Sequence, residues 1–265
     1  TYMYKLNEPF IYGPISGGET VPSIIHYPFR KKEYIIENIR KCTQLIAKKS
    51  FNLKRCCKNA ELIVTVTEES KNMLPVKYQE KAVVLQAIGL NKSAIVDKRK
   101  IFNDSKTRFL IAGRMLSWKG FQIGIEAFIK ALESGVKAEL TVLGTGNSET
   151  KNALKHIAGD YLNREICFVD SVRYDKMAEF YDEHDVLLNC SLRDSGCLVV
   201  MEAMGRGLPI ICIDTGGPKI NTESGGAIKI KPAKYNELKE KLAEAIILLT
   251  KDSEKKNVLS HEGQK

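Results

Sequence analysis

The chain alternates between two patterns of hydrophobic positions, most regularly after residue 106. Short, nearly continuous apolar runs are typical of strands buried on both faces of a parallel sheet. Longer stretches in which apolar residues recur every three or four positions are typical of amphipathic helices. The runs predict strands at 108–112, 138–143, 166–169, 185–189, 208–213 and 227–230, and the stretches predict helices at 119–133, 148–157, 174–183 and about 234–250. This alternation predicts a parallel sheet with helices on both faces.

The earlier part of the chain carries the same patterns less regularly. The predicted elements there are a strand from residue 11, one or two helices within 30–58, a strand at 62–66, a short helix capped by Thr67, and a strand at 83–85. A polar, charged stretch at 91–106 follows, and it is predicted to be a linker because little in it could be buried. The fold class is therefore α/β, with one domain at 1–98 and a second at 99–265.

The turns after the predicted strands carry the unusual residues of the chain. Right-handed connections bring all such turns to one edge of a parallel sheet, and ligands of open parallel sheets bind at that edge. Four turns are therefore expected to converge on one site: Gly113-Arg114 with Lys119, Gly144 to Gly146, Asp170 to Val172, and Ser191 to Gly196.

The stretch from Asp194 to Pro218 combines a small-residue turn, an apolar helix and a strand. The first amides of a helix lack partners inside it and attract anions, so a phosphate-bearing ligand is predicted here. Glu202 has apolar neighbours nearly all round, so its carboxylate is expected to be buried and to need donors such as ligand hydroxyls. A simpler interpretation stays open, in which Asp194 or Ser195 caps the helix and Glu202 is an exposed polar residue.

Arg114 and Lys119 lie five positions apart around a turn that enters a helix. Two cations beside a strand end suit a diphosphate, because Arg binds it bidentately and Lys acts as a compact point charge. Two ordinary surface cations are the alternative. Gly17 and Gly18 follow a predicted strand and would present bare amide groups to a ligand, or form a simple turn.

Charge is concentrated in one segment of the chain. The net charge is +9, and residues 30–58 carry ten bases against two acids, Glu33 and Glu37. Such a segment predicts contact with an anionic membrane surface or a phosphorylated substrate, or else a solvated helix face. It lacks the interleaved aromatic residues and the motifs of nucleic-acid binding, so nucleic acid is not an expected partner.

No apolar run reaches the length of a membrane-spanning helix, and no signal-peptide pattern opens the chain. A cytoplasmic location is expected, with peripheral attachment to the inner face of the cell membrane as a further possibility. The seven cysteines lie among apolar neighbours without metal-site spacing, and the four histidines are isolated in sequence. The cysteines are predicted to be reduced and buried in the core, and neither a metal nor a cofactor is expected.

At these residues the sequence resembles the retaining nucleotide-sugar glycosyltransferases of the GT-B fold, specifically glycosyltransferase family 4. The matching pieces follow the family's order over most of residues 107 to 230. They are Gly113 to Gly120, Leu140 to Gly146, Phe168 to Val172, Asp185 to Leu188, Ser191 to Gly196, Glu202 to Pro209, and Thr215 to Pro218. The resemblance implies a Rossmann-type donor domain after residue 98 and, before it, an incomplete N-terminal α/β domain that would face the acceptor.

The resemblance also implies a role for each matching residue. Arg114 and Lys119 would hold the donor diphosphate, and Asp194 would contact the hydroxyls of the transferred sugar, which makes these three the catalytic candidates. Glu202 would bind the donor ribose. The remaining donor-binding candidates are Gly113, Gly144, Gly146, Val172, Gly196, Cys197 and Leu198, with Gly17 and Gly18 at the acceptor or the donor phosphate. Members of the family typically need no metal.

The function implied is transfer of a sugar, with retention, from a nucleotide diphosphate sugar to a saccharide or lipid-linked acceptor in cell-surface polysaccharide synthesis. The donor is expected to be UDP-linked. Asp194 stands where the family usually has Glu, and Ser195 replaces the usual residue before the glycine. Two alternatives stay open: a nucleotide-sugar-binding module that does not catalyse, and a GT-B sugar-nucleotide epimerase, for which the sequence offers no identifiable acid and base.

Overall fold

Two parallel sheets organise the protein, in a computed structural model that describes residues 3–5, 8–26, 28, 31–90, 94–96, 102 and 106–265. The smaller sheet has the order β1-β2-β3, with β1 at Ile11–Ile15, β2 at Leu62–Thr65 and β3 at Ala82–Val84. Its helices are α1 (Lys31–Lys49), α2 (Phe51–Asn59) and α3 (Glu68–Asn72). The prediction of one or two basic helices is thus confirmed, since two are present, and the helix cap is confirmed because the Thr67 hydroxyl accepts from the Ser70 amide.

The larger sheet has six strands in the order β6-β5-β4-β7-β8-β9, and every neighbouring pair is parallel. Its strands are β4 (Thr107–Ala112), β5 (Ala138–Leu143), β6 (Ile166–Val169), β7 (Val186–Asn189), β8 (Ile210–Ile213) and β9 (Ala227–Ile230). Its helices are α4 (Phe121–Glu133), α5 (Ser148–Ala158), α6 (Met177–Glu183), α7 (Leu198–Gly205), α8 (Gly216–Asn221), α9 (Tyr235–Lys251) and α10 (Ser253–Gly263). The predicted α/β class and the parallel sheet with alternating helices are confirmed.

The strand order of the larger sheet indicates where along its carboxyl edge a ligand would bind. The chain first builds outward from β4 through β5 to β6, then returns to the other side of β4 and builds outward from β7 to β9. This reversal leaves a crevice between the turn after β4 and the turn after β7. In open parallel sheets, such a switch point is the usual binding place.

Helices cover both faces of the larger sheet, which explains why its strands are almost entirely apolar. One face packs against α4, α5 and α9, and there the fully buried rings of Phe109 and Phe128 meet edge to face at 5.6 Å. The other face packs against α6 and α7, with Tyr181, Val200 and Met204 in its core. The turns at the carboxyl edge therefore stand on a rigid, close-packed support.

A segment that follows β1 packs into the core of the larger sheet. Val21 and Ile25, the latter fully buried, join the core cluster on the α4 and α9 side. Further ties are the hydrogen bond from the Gly216 amide to Glu69 and the one from the Gln86 side chain to Asn221. The two sheets are thus held together by apolar packing as well as by polar contacts.

Some expectations from the sequence are wrong. Two helices were not predicted: α8 is short and begins among glycines at Gly216, and few apolar residues mark the periodicity of α10. Phe102 lies within the expected linker but is buried, while most of 91–106, including the expected domain boundary at residue 98, lies outside the described residues. All seven cysteines are free, as expected, but Cys42 and Cys167 are exposed rather than buried.

Candidate functional site

Lys119 and Asp194 form an ion pair across the switch point of the larger sheet. Lys119 ends a 3-10 helix at Ser117–Lys119 that follows β4, and Asp194 lies in the turn after β7. The next residue, Gly120, has φ 67°, and a Cβ there would overlap the carbonyl oxygen of Cys190, so glycine lets the two turns touch. The side chains of the pair are 20% and 14% exposed. The convergence of these two turns is therefore confirmed.

The start of α7 lies directly beside this ion pair. Cys197 is its N-cap residue, with φ 47°, and burial raises the pKa of the Cys197 thiol well above its usual value, with Asp194 adding to the shift. Asn189 donates to the Cys197 sulfur at 3.3 Å, and the Asn221 side chain donates to the carbonyls of Gly196 at 2.9 Å and Cys197 at 3.2 Å. The helix start, with Leu198 as its first residue, is thus held in one orientation at the crevice.

Gly113, Arg114 and Gly146 lie at the next pair of strand ends. The Gly113 amide donates to the Leu143 carbonyl at 3.0 Å, and a Cβ on Gly144 would overlap the carbonyl oxygen of Gly113, so the turns after β4 and β5 are in contact. Arg114 is exposed and has no ion pair among the residues that the structure describes. Within the described part of the chain, Arg114 is therefore the cation of the expected pair without a counter-charge, since Lys119 is matched by Asp194.

Arg114 and Gly146 line an open cavity of about 700 Å³. The opposite wall comes from the first half of α1 and includes Lys32, Ile36 and Glu37. Val172 lies further along the same edge of the sheet and packs on the core beneath α6 and α7. A ligand bound in this cavity at Arg114 would therefore lie between the larger sheet and α1.

Glu202 is buried, as expected, and two tyrosines satisfy its carboxylate. The Tyr174 hydroxyl donates to Oε1 at 2.8 Å, and the Tyr181 hydroxyl donates to Oε2 at 2.7 Å. Hydrogen bonding to Glu202 raises the pKa of Tyr174, and burial followed by the Glu202 charge raises the pKa of Tyr181, so both phenols remain donors. The protein itself supplies donors that the sequence had suggested would come from a ligand.

Glu202 lines a cavity of about 170 Å³, which is separate from the cavity that Arg114 lines. Tyr174, Tyr181 and Arg206 line it, together with Ala94 from the stretch before β4. Sequence reasoning missed both tyrosines. Their spacing of seven positions, about two turns of the predicted helix at 174–183, was a signal that they lie on one face.

Gly17 and Gly18 lie in a third cavity, of about 350 Å³, beside Arg40 and Gln44 of α1. The expectation of bare amides is wrong, because the Gly17 amide donates to the Glu19 carboxylate at 3.1 Å and the Gly18 amide donates to the Ser70 hydroxyl at 3.2 Å. The structure does not bring these glycines into the cavity of Arg114. Their part in binding a ligand stays a prediction.

Arg193 is a third residue that sequence reasoning missed. Its guanidinium is 2.7 Å from the Glu37 carboxylate, with both side chains about nine-tenths buried, and it stacks 4.2 Å from the Trp118 ring centre. The pair joins α1 to the turn that carries Asp194. The sequence did mark both residues of the pair as unusual, since Glu37 is one of two acids in the basic segment and Arg193 directly precedes Asp194.

Comparison with known proteins identifies relatives of this arrangement. The family model described as "Glycosyl transferases group 1" matches residues 93–265. An uncharacterised glycosyltransferase of Methanocaldococcus jannaschii is 22% identical over 197 residues, which are 71% of this chain and 50% of that protein. The chain spans half or less of the length of the curated relatives it matches.

Two solved structures share the fold across nearly the whole chain. Anabaena HepE in complex with UDP and glucose superposes with a TM-score of 0.63 at 16% identity, covering 97% of this chain and 66% of HepE. WaaG, a glycosyltransferase involved in lipopolysaccharide biosynthesis, gives 0.60 at 15% identity, covering 97% of this chain and 72% of WaaG. These likenesses confirm the GT-B architecture. Among the described helices, none is both long enough and apolar enough to cross a bilayer.

Proposed function

The chain belongs to the glycosyl transferases group 1 family, and from this premise we propose that it acts in a retaining glycosyltransferase of family 4. The reaction would move a sugar from a nucleotide diphosphate sugar to a saccharide or lipid-linked acceptor. The observation that carries the proposal is the Lys119–Asp194 ion pair beside the start of α7, at the switch point of the larger sheet. Cation, carboxylate and helix amides meet there, which is the chemistry that a sugar diphosphate requires.

We assign each part of the donor to one group of the protein. Arg114 and Lys119 would hold the diphosphate, and the first amides of α7, from Gly196 to Leu198, would accept the rest of its negative charge. Asp194 would accept hydrogen bonds from the transferred sugar. Glu202, on the far side of α7, would bind the ribose. In this arrangement protein cations and amides neutralise the diphosphate, and no metal is needed.

The proposed chemistry follows from these positions. The bond between the anomeric carbon and the diphosphate oxygen breaks, and its electron pair passes to the leaving diphosphate. Arg114 and Lys119 stabilise the charge that grows there, which is the largest contribution such a site can make. The acceptor hydroxyl passes its proton to the departing diphosphate oxygen and bonds to the anomeric carbon on the face that the diphosphate leaves, so the anomeric configuration is retained.

The proposed donor is UDP-linked, because HepE, which shares the fold, was solved with UDP and glucose. The proposed setting is synthesis of a cell-surface polysaccharide, because WaaG takes part in lipopolysaccharide biosynthesis. Both assignments come from distant relatives and rest on their shared architecture.

We also propose an anionic membrane surface as a partner of the segment 30–58, where the acceptor would be presented. Along α1, Ile35, Ile39, Cys42 and Ile46 recur at helical spacing and are all exposed. Lysines flank this stripe at both ends of α1, at Lys31, Lys32, Lys48 and Lys49. An exposed apolar stripe flanked by bases is typical of a helix that lies in a membrane interface.

Calorimetry with UDP tests the donor site. We expect Arg114→Ala to weaken UDP binding at least about tenfold, because a charge-assisted contact to phosphate is lost. Arg164→Ala removes the same charge before β6, at the opposite edge of the sheet, and should leave UDP binding unchanged. Equal losses in the two variants, or none in Arg114→Ala, would contradict the proposed site.

Product analysis with a UDP-sugar and candidate acceptors tests the reaction. A glycoside with the anomeric configuration of the donor supports the proposal. Binding without turnover, even in a longer parent protein, would indicate a module that does not catalyse. An isomerised free donor that forms without any acceptor would indicate an epimerase.

A further inference from the structure

The two tyrosines on Glu202 differ in how the protein holds them. Tyr181 is 2% exposed and its ring packs in the core beneath α6 and α7. Tyr174 is 71% exposed, and its hydroxyl bonds to Glu202 alone within the part of the chain that the structure describes. One donor is therefore fixed by packing, while the other is held mainly by its hydrogen bond.

The two oxygens of the Glu202 carboxylate therefore differ in how firmly their donors are held. Oε2 accepts from the fixed Tyr181 at 2.7 Å, whereas Oε1 accepts from Tyr174 at 2.8 Å at the cavity lined by both tyrosines. A hydroxyl bonded to a carboxylate is a charge-assisted contact, so a ligand hydroxyl entering this cavity can replace a phenol at little net cost. Replacing Tyr174 requires only the rotation of an exposed side chain, while replacing Tyr181 would disrupt the core.

We propose that Tyr174 is a placeholder for a hydroxyl of the donor ribose, and that Tyr181 is a positioning residue for Glu202. Without ligand, the Tyr174 hydroxyl occupies Oε1 and keeps the buried carboxylate satisfied. When the nucleotide binds, a ribose hydroxyl takes Oε1 and the Tyr174 side chain leaves it. Tyr181 holds Oε2 throughout, so the carboxylate keeps its orientation. This inference rests on the proposed function, since it requires a nucleotide at Glu202.

The placeholder has a consequence that a purely structural contact would not have. Tyr174 competes with the ribose, so removing its hydroxyl should strengthen binding of a ribonucleotide. It should not affect a nucleotide that lacks ribose hydroxyls, because that ligand never displaces the phenol. Discrimination between the two ligands therefore separates competition from a general effect on the fold.

The experiment compares UDP with 2′,3′-dideoxyuridine diphosphate by calorimetry, on the wild type and on Tyr174→Phe, Tyr181→Phe and Tyr161→Phe. We expect Tyr174→Phe to bind UDP about fivefold more tightly, and Tyr181→Phe to bind it about tenfold more weakly. Neither variant should change the affinity for the dideoxy ligand. Tyr161 lines a different cavity, at the amino edge of β5, so Tyr161→Phe is the matched control and should bind both ligands as the wild type does.

Each result decides between distinct conclusions. Weaker or unchanged UDP binding by Tyr174→Phe, or equal shifts for both ligands, overturns the placeholder, while the proposed function stands if Arg114→Ala still weakens UDP binding at least about tenfold. No binding of UDP by the wild type overturns both. If Tyr181→Phe melts at a lower temperature than the wild type, the Tyr174→Phe comparison decides alone, because that exposed side chain does not support the core.

Discussion

The larger and the smaller sheet bury their apolar residues to different extents. In the larger sheet, β7 and β8 are buried at every position, and helices cover both faces. In the smaller sheet, Ile11 and Val83 are exposed, and in α1 the buried residue is an acid, Glu37. The same kind of apolar sequence thus forms a close-packed core in one region and an open surface in the other.

This difference in burial indicates that the two regions have different tasks. A close-packed sheet holds the turns at its carboxyl edge in fixed geometry, which a site for a small ligand needs. An open apolar and basic surface is suited instead to meeting a large partner. Ile25 joins the regions through the core, and the Arg193–Glu37 pair joins them directly beside Asp194, so the two tasks are physically coupled.

The largest expected effect comes from the core of the larger sheet. Phe128→Ala should lower the free energy of unfolding by about 4 kcal/mol, because a fully buried ring leaves a cavity. Phe51→Ala in α2 removes an equally large but exposed ring and should cost about 0.5 kcal/mol or less. Urea unfolding followed by circular dichroism measures both, and similar costs would break the contrast between the two regions.

A smaller effect is expected at the junction. Glu37→Gln should cost about 3 kcal/mol, because it leaves Arg193 buried without its counter-charge. The control Glu244→Gln changes an exposed acid on α9 and should be neutral. If Glu37→Gln is also neutral, the ion pair does not hold α1 against the turn that carries Asp194.

The exposed stripe of α1 should affect binding rather than stability. Ile39→Ser with Ile46→Ser should change the free energy of unfolding by about 0.5 kcal/mol at most, yet reduce sedimentation with anionic vesicles. Neutralising Lys48, Lys49, Lys54 and Arg55 should do the same, and salt should weaken the interaction. Lys251→Ala with Lys255→Ala, two exposed lysines far along the chain, is the control. Unchanged sedimentation would indicate a solvated face.

Thiol labelling compares the two regions at the level of single cysteines. At pH 8, Cys42 and Cys167 should react quickly with iodoacetamide because they are exposed and the thiolate is the reactive form. Burial raises the pKa of Cys57 to about 11 and that of Cys212 to about 12, so both should react only after the protein opens. In rising urea, Cys57 in the smaller region should react before Cys212 in the larger sheet. Simultaneous reaction would show that the two regions unfold as one unit.

Much of the fold and part of the candidate site could be predicted from sequence. Continuous apolar runs marked every strand of the larger sheet, since a strand covered on both faces has few polar positions. Parallel connections then required the turns to share one edge, which correctly brought Lys119 to Asp194. The helix α10 escaped prediction because its buried residues, Lys256 and Leu259 among them, do not form an apolar stripe.

The alternation of elements, the edge at which the site lies, and the burial of Glu202 therefore follow from the order of the amino acids. Only the tertiary structure decided which partners satisfy the charges there. Tyr174 and Tyr181 meet Glu202, and Arg193 meets Glu37, across separations that no local pattern spans. The physical reason is that backbone pattern depends on near neighbours in the chain, whereas a buried charge is stabilised by whichever donor the packing brings within hydrogen-bond distance.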